Sequence, residues 1–210
     1  TQLIARRVRE QKVYSEIHPF STSLEKIKKL EPTGIILSGG PSSVYDDDAP
    51  PSDPGVLELV VPVLGICYGA QLMVQQLGGT VEKADKREFG KADLSVGFTE
   101  GLFAGLETGE ITHQVWMSHG DRIENLPEGF ETTATSAHSP YAAIRASEKP
   151  FTGVQFHPEV AHTLIGNDVI RNFIFGICGC SPSWTMHSFI EANVEAIREQ
   201  VGTNKVICAL

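Results

Sequence analysis

The sequence VPVLGICYGAQLMVQQLGG runs from Val61 to Gly79 and carries the clearest structural signal in the chain. An apolar run comes first and a helical pattern ending in two glycines follows, so the stretch predicts a strand, a tight turn and a helix. Cys67 lies at the turn, two residues after Gly65 and two before Gly69. Glycines there allow a sharp turn and close packing, which pushes the residue between them out above the sheet. The stretch therefore predicts a cysteine nucleophile at a strand-to-helix elbow.

A small buried core residue is the alternative interpretation of Cys67. That interpretation leaves both neighbouring glycines without a role. The predicted helix also points its N-terminus at the sulfur, and the positive end of a helix dipole favours a thiolate over a thiol. We therefore interpret Cys67 as a nucleophile.

The rest of the chain predicts an α/β fold. Before Gly79, strand-like runs (QKVYSEIH, TGIILSGG, VPVLGIC) alternate with helical patterns (SLEKIKKL, AQLMVQQLGG). This alternation is typical of an open, mainly parallel central sheet flanked by helices. After Gly79 the strand-like pieces are shorter and separated by turns (EITHQVWM, FETTATS, YAAIRA, FTGVQFH). They predict an antiparallel extension of the sheet.

Composition excludes several classes of partner. The chain has 210 residues, with 17 Lys+Arg against 26 Asp+Glu and a net charge of −9, which disfavours nucleic acid. No stretch approaches the roughly 20 apolar residues of a membrane span, and there is no signal peptide core. Four cysteines are unevenly spread in a chain that is too large to need a disulfide framework, so we expect a cytoplasmic protein with no membrane partner. Cys178 and Cys180 are too close for a Cys-x-x-Cys metal site, and we predict no metal.

The sequence GVQFHPEV offers a base for the cysteine. His157 ends a strand-like run, Pro158 favours extended backbone, and Glu159 follows two residues after the histidine. Imidazole and carboxylate can then share one face, where the carboxylate would orient the imidazole and support its charged form. A histidine at a strand end is common, so this signal gains its weight from the cysteine elbow.

A third segment predicts an oxyanion site. Attack by sulfur on a carbonyl needs backbone N–H donors close to the oxygen that becomes charged. In LSGGPSS, Gly39 and Gly40 follow an apolar strand and could turn their N–H groups into the site, although a plain tight turn is the alternative. Tyr68, directly after the nucleophile, would supply a second donor. Among the other histidines, His119 in MSHGD lies in a predicted loop that could approach a ligand.

Together, SGGP, GICYGAQ and FHPE, in this order, resemble the class I (triad) glutamine amidotransferases, whose fold is flavodoxin-like. The resemblance implies that Cys67 is the nucleophile, that His157 is the base and then the acid, and that Glu159 orients it. It also implies oxyanion N–H groups at Gly40 and Tyr68. Residues that would hold the amino-acid end of L-glutamine are Gly39, Gln71, Ser118, His119 and Gly120. The glutaminase step would need no cofactor.

Within this family the likeness is greatest to glutaminase domains that serve GMP formation. It implies a partner synthetase (ATP-pyrophosphatase) domain of the same chain that converts XMP to GMP with ATP and Mg²⁺. We expect residues 1–180 to form the amidotransferase domain, without the family's opening strand. Residues 181–210 would be a connecting helix and the first strand of the absent synthetase domain. A homodimer is one oligomeric state that the sequence leaves open.

Two other functions remain open at this point. The chain could be the glutaminase of another synthase, such as the CTP, anthranilate or imidazole-glycerol-phosphate enzymes. It could also be a catalytically silent amidotransferase-like module that regulates a synthetase, although an intact triad argues against silence.

Overall fold

The computed structural model describes residues 1–46, 49–109 and 111–204. Five α-helices and seven strands are described there. The helices are α1 (Gln2–Glu10), α2 (Leu24–Lys29), α3 (Tyr68–Gln76), α4 (Gly166–Arg171) and α5 (Met186–Val201). The strands are β1 (Ile35–Leu37), β2 (Val63–Ile66), β3 (Thr80–Val96), β4 (Thr112–Asn125), β5 (Phe130–Thr135), β6 (Ala143–Ala146) and β7 (Phe151–Val154). Short 3₁₀ segments cover Pro54–Glu58 and Gly101–Phe103, and π-helical turns over Asn172–Ile177 continue α4.

The strands form one sheet in the order β1-β2-β7-β6-β5-β3-β4. The pairs β1–β2 and β2–β7 are parallel, whereas the remaining pairs are antiparallel. The predicted α/β class with an antiparallel extension is therefore confirmed, and the parallel part of the described sheet consists of three strands. Because β2 is the middle strand of that part, its carboxyl end opens at the centre of the parallel edge.

The helix α3 packs very closely on β1 and β2. A Cβ added to Gly65 would lie 2.5 Å from Cα of Ala70, and one added to Gly69 would collide with the carbonyl oxygen of Leu37. Only glycine fits at either position without moving backbone. The two glycines thus allow the short turn that places Cys67 between strand and helix.

Several expectations about individual segments were wrong. The predicted strand QKVYSEIH has no strand assignment, and β1 is the last strand on that side of the described sheet, so residues 11–18 lack a ladder partner. The predicted pieces after Gly79 did not include β3, which is a single 17-residue strand paired with β4. The strand predicted from the last residues lies outside the described residues.

No helix in the described ranges is long and apolar enough to cross a membrane.

Candidate active site

Cys67 occupies the elbow between β2 and α3 in a strained backbone conformation. Its φ is 51° and its ψ is −111°, a region that non-glycine residues rarely adopt. The backbone N–H of Cys67 donates to the carbonyl of Val154 on the neighbouring strand at 2.8 Å. The side chain is buried, with 4% of the residue exposed. Such strain persists only where the surroundings enforce it, which makes this elbow a candidate catalytic position.

His157 and Glu159 follow β7, the parallel neighbour of β2. Because parallel strands end at the same edge of a sheet, the chain after β7 arrives beside Cys67. Nδ1 of His157 lies 3.0 Å from Oε1 of Glu159, and both side chains are largely buried. The imidazole also interacts with the Cys67 side chain, which favours its charged form. The sequence-predicted cysteine, histidine and glutamate are thus brought together in one site.

Cys67 and Glu159 favour the charged form of the His157 imidazole. Burial alone would lower the pKa of His157, but the hydrogen bonds and charges of Cys67 and Glu159 outweigh it and raise that pKa to about 10. The imidazole is therefore held in its charged form beside the sulfur at neutral pH. This arrangement suits a thiolate nucleophile with an adjacent proton donor.

The main chain of the His-Pro-Glu segment is held from several sides by residues that the sequence interpretation missed. The N–H of His157 donates to the carbonyl of Trp116 at 2.9 Å, and the Thr163 hydroxyl donates to the carbonyl of His157 at 2.6 Å. Arg7, on α1, donates from Nε to the carbonyl of Glu159 at 3.0 Å. The contacts of Trp116 and Arg7 join distant parts of the chain, so no local sequence pattern could have identified them.

The Gly-Gly loop after β1 lies directly against the cysteine and histidine. A Cβ added to Gly39 would be 3.0 Å from Cε1 of His157 and 3.6 Å from Cβ of Cys67. One added to Gly40 would be 3.6 Å from the Tyr68 ring. Tyr68 is the first residue of α3, where an N–H has no acceptor within the helix. The Gly-Gly loop and the start of α3 therefore lie next to each other beside Cys67.

Two buried glutamines form a chain of contacts to the sulfur. Nε2 of Gln71 donates to the carbonyl of Asp121 at 2.9 Å and to Oε1 of Gln155 at 3.1 Å. Nε2 of Gln155 lies 3.8 Å from Sγ of Cys67 as a donor. The bond from Gln71 fixes the Gln155 amide with its N–H side toward the sulfur. The sequence analysis did not identify Gln155 as a site residue, although a polar residue inside the apolar run FTGVQFH could have indicated one.

Residues 118–120 lie inside β4 and not in a loop, which corrects the expectation for MSHGD. Gly120 and the polar residues around it interrupt the apolar pattern of a strand, but the ladder with β3 keeps the backbone extended. The carbonyl of Ser118 is 3.7 Å from Sγ of Cys67 and accepts from it. The middle of β4 therefore lines the site with backbone.

His119 is buried, and both of its ring nitrogens lie against protein groups. Nδ1 is 2.9 Å from the carbonyl of Asp121, and Nε2 is 3.2 Å from Oε2 of Glu88. Burial lowers the pKa of His119, although Glu88 opposes this effect. The neutral imidazole is therefore favoured, and its nitrogens are directed at β3 and β4 neighbours.

The other described cysteines lie in a different chemical setting. Burial, with a smaller effect of Cys180, raises the pKa of Cys178 to about 12, and burial also raises that of Cys180. Both thiols therefore stay protonated and weakly nucleophilic at neutral pH. Cys208 lies outside the described residues. Within the described ranges, no group of three or more His, Cys, Asp or Glu side chains is placed to hold a metal ion.

The arrangement as a whole defines a class of protein. The chain matches the family described as glutamine amidotransferase class-I over residues 1–177, and it therefore belongs to that family.

Individual relatives of this chain are known within the family. The chain is 69% identical over 210 residues to a glutamine-hydrolysing GMP synthase of Desulfotalea psychrophila and 52% identical over 209 residues to that of Bacillus subtilis. All of this chain is covered in both matches, but it spans only 40% of the length of each relative.

Solved structures agree with the family. A Thermoplasma acidophilum protein, provisionally described as part of a GMP synthase, is 33% identical, with a TM-score of 0.75 over 91% of this chain and 90% of its own. A Thermotoga maritima glutamine amidotransferase is 20% identical, with a TM-score of 0.60 over 95% of this chain and 86% of its own, and supports the fold alone.

Proposed function

We propose that this chain hydrolyses L-glutamine to glutamate and ammonia through a thioester on Cys67. The observation that carries the proposal is the strained Cys67 elbow beside the hydrogen-bonded His157–Glu159 pair. Strain at a nucleophile and a raised pKa at its partner histidine are both typical of catalytic sites.

The reaction begins when the sulfur attacks the side-chain amide carbon of glutamine. The carbonyl π electrons move to the oxygen, and the N–H groups of Gly40 and Tyr68 stabilise the negative charge that forms there. The oxyanion then re-forms the carbonyl, and the C–N bond breaks. The leaving nitrogen takes a proton from the His157 imidazolium and departs as ammonia.

Water then completes the cycle. Neutral His157 accepts a proton from a water molecule that attacks the thioester carbon, the C–S bond breaks, and glutamate leaves while the thiolate is restored. Glu159 keeps its negative charge throughout, because its role is to orient the imidazole and stabilise the imidazolium. No metal or cofactor enters these steps.

The substrate's amino-acid end belongs on the β4 side of the cysteine. We propose that Gly39, Gln71, Ser118 and Gly120 surround it, mainly through backbone groups. His119 would act through its backbone or by supporting β4, because its ring nitrogens lie against Asp121 and Glu88.

The ammonia would be used by a synthetase domain. We infer this partner, together with XMP and ATP as its substrates and Mg²⁺ as its cofactor, from the family resemblance and from the relatives, which are glutamine-hydrolysing GMP synthases. A cytoplasmic location follows from the same inference. A homodimer stays a prediction that size measurement in solution would test.

Brief labelling with a glutamine-mimicking chloroketone, followed by mass spectrometry, tests the nucleophile. We expect Cys67 to be labelled far ahead of Cys178 and Cys180, and glutamine to protect it. A glutaminase assay with and without a synthetase domain accompanies the labelling. Labelling of another cysteine first, or absence of turnover under both conditions, would contradict the proposal and favour a silent regulatory module.

A further inference from the structure

Asp121 ties the Gly-Gly loop to β4 with both oxygens of one carboxylate. The hydroxyl of Ser43 donates to Oδ2, and the hydroxyl of Tyr45 donates to Oδ1 at 2.7 Å. The hydrogen bond with Ser43 lowers the pKa of Tyr45, but Asp121 raises it overall, which keeps the phenol protonated as a donor. Asp121 itself is 8% exposed. Hydrogen bonds to a charged, largely buried acceptor are the strong ones.

The loop that receives this anchor also carries the predicted oxyanion donor. Residues 39–45 run from the glycines beside Cys67 and His157 to the two hydroxyls on Asp121. Val44 lies between the two anchoring residues and packs against Tyr68 and Leu72 of α3. The loop is therefore fixed between α3 on one side and β4 on the other.

The backbone of Asp121 joins the same structure to the buried glutamines. Its carbonyl accepts from Nε2 of Gln71 and is 2.9 Å from Nδ1 of His119. Gln71 in turn donates to Gln155, whose amide faces the sulfur. Asp121 is thus the point where the glycine loop, α3 and β4 meet, although its side chain touches none of the reacting atoms.

We propose that Asp121 is a positioning residue that holds the Gly39–Gly40 loop over Cys67, so that the Gly40 N–H meets the forming oxyanion. This inference rests on the proposed function. The oxyanion donor Gly40 acts only in the transition state, whereas Gly39 of the same loop also lies against the bound substrate. Loss of the anchor should therefore lower kcat by a larger factor than it raises KM for glutamine. Removing one such donor typically costs about 10²–10³ in kcat, and we expect about 10-fold to 10²-fold because a loosened loop still visits the right position.

Asp121→Ala and Asp121→Asn test this role together. Asparagine keeps the shape, accepts one hydroxyl through its oxygen and can donate to the other, so we expect it to recover most of the kcat that alanine loses. Tyr14→Phe is the matched control, because Tyr14 donates to the Glu16 carboxylate at 3.0 Å on an exposed surface. It should retain wild-type kcat.

Alkylation of Cys67 by iodoacetamide separates loop positioning from damage to the nucleophile. That displacement forms no oxyanion, so Asp121→Ala should alkylate at the wild-type rate while its glutamine turnover falls. Equal losses in both reactions would mean that the elbow itself has collapsed, and unchanged turnover would mean that the anchor has no role. Either result overturns the inference.

Amide hydrogen exchange over residues 38–46 tests the anchor without any activity. Asp121→Ala should speed exchange in this loop, and so should the double variant Ser43→Ala, Tyr45→Phe, which leaves Asp121 in place. If the wild-type protein does not turn over glutamine but hydrogen exchange in the loop is faster in the variants, the proposed function is wrong and Asp121 still holds the loop. If the variants turn over glutamine normally and hydrogen exchange in this loop does not change, the proposed role of Asp121 is wrong and the proposed function is unaffected.

Discussion

Replacing Glu159 by glutamine should move the protonation of His157 to lower pH. The carboxylate oxygen lies 3.0 Å from Nδ1 of His157, whose pKa is raised to about 10 with contributions from Cys67 and Glu159. Glutamine keeps the shape and an oxygen acceptor for Nδ1–H but removes the negative charge. Because that charge favours imidazolium, its loss lowers the pKa, and His157 then loses its proton earlier as pH rises.

The size of the shift follows from the distance. Two unit charges 3.0 Å apart attract by about 1.4 kcal/mol in bulk water and by about 5.5 kcal/mol at an effective dielectric constant near 20. One pKa unit corresponds to about 1.4 kcal/mol, so the pKa should fall by at least about one unit. The high-pH limb of glutamine turnover should move with it, since His157 must carry a proton to release ammonia.

The assay is an NMR titration of the His157 ring. Glutamate release is measured in parallel, from neutral pH to a pH above that at which wild-type turnover falls. Glu159→Gln should retain more turnover than His157→Ala, because the imidazole itself moves the protons and such a group contributes about 10²–10⁴-fold. Glu16→Gln is the control, since Glu16 and His18 form a chemically similar pair at 2.9 Å on the surface. If the high-pH limb of turnover does not move in Glu159→Gln, or moves equally in Glu16→Gln, the Glu159 charge does not set the pKa of His157.

Two further variants test the elbow and the missed glutamine. Gly65→Ala should lower the free energy of unfolding by about 1–3 kcal/mol in urea denaturation, because its Cβ would meet Ala70 at 2.5 Å. Gly176→Ala, with nothing within 4 Å of the added carbon, should cost little, and similar losses in both would contradict the packing argument. Gln155→Leu should lower kcat about 10-fold by removing the N–H donor at the Cys67 sulfur. Wild-type kinetics would show that this contact has no catalytic role.

Short-range chemistry made much of the site readable from the sequence. Cys67 and its two glycines lie within five residues, and the histidine and glutamate are two residues apart, so local rules for turns and strands sufficed. The α/β class followed from the alternation of strands and helices for the same reason. The structure then explains each glycine by a specific close approach to Ala70 or Leu37.

The contacts that could not be predicted depend on how distant strands pair with each other. Asp121 meets Ser43 and Tyr45 across 78 and 76 residues, and that meeting exists only because β4 pairs with β3 as it does. The strand β3 itself was missed because EKADKREFGKAD lacks the polar–apolar alternation of a half-buried strand. Conversely, QKVYSEIH has a strand-like composition but no described neighbour to pair with. The β propensity of this segment was not enough to form a strand without a neighbouring strand in the described sheet.

Trapping the covalent intermediate shows whether glutamine hydrolysis passes through a thioester on Cys67. The chain is mixed with glutamine, quenched in acid within a turnover and digested, and the peptide that carries Cys67 is analysed by mass spectrometry. We expect this peptide to gain the mass of glutamine less ammonia, through a bond that hydroxylamine cleaves, and we expect Cys67→Ala neither to form the adduct nor to release glutamate. Glutamate release at the wild-type rate from Cys67→Ala, or an adduct on a different residue, would contradict this mechanism.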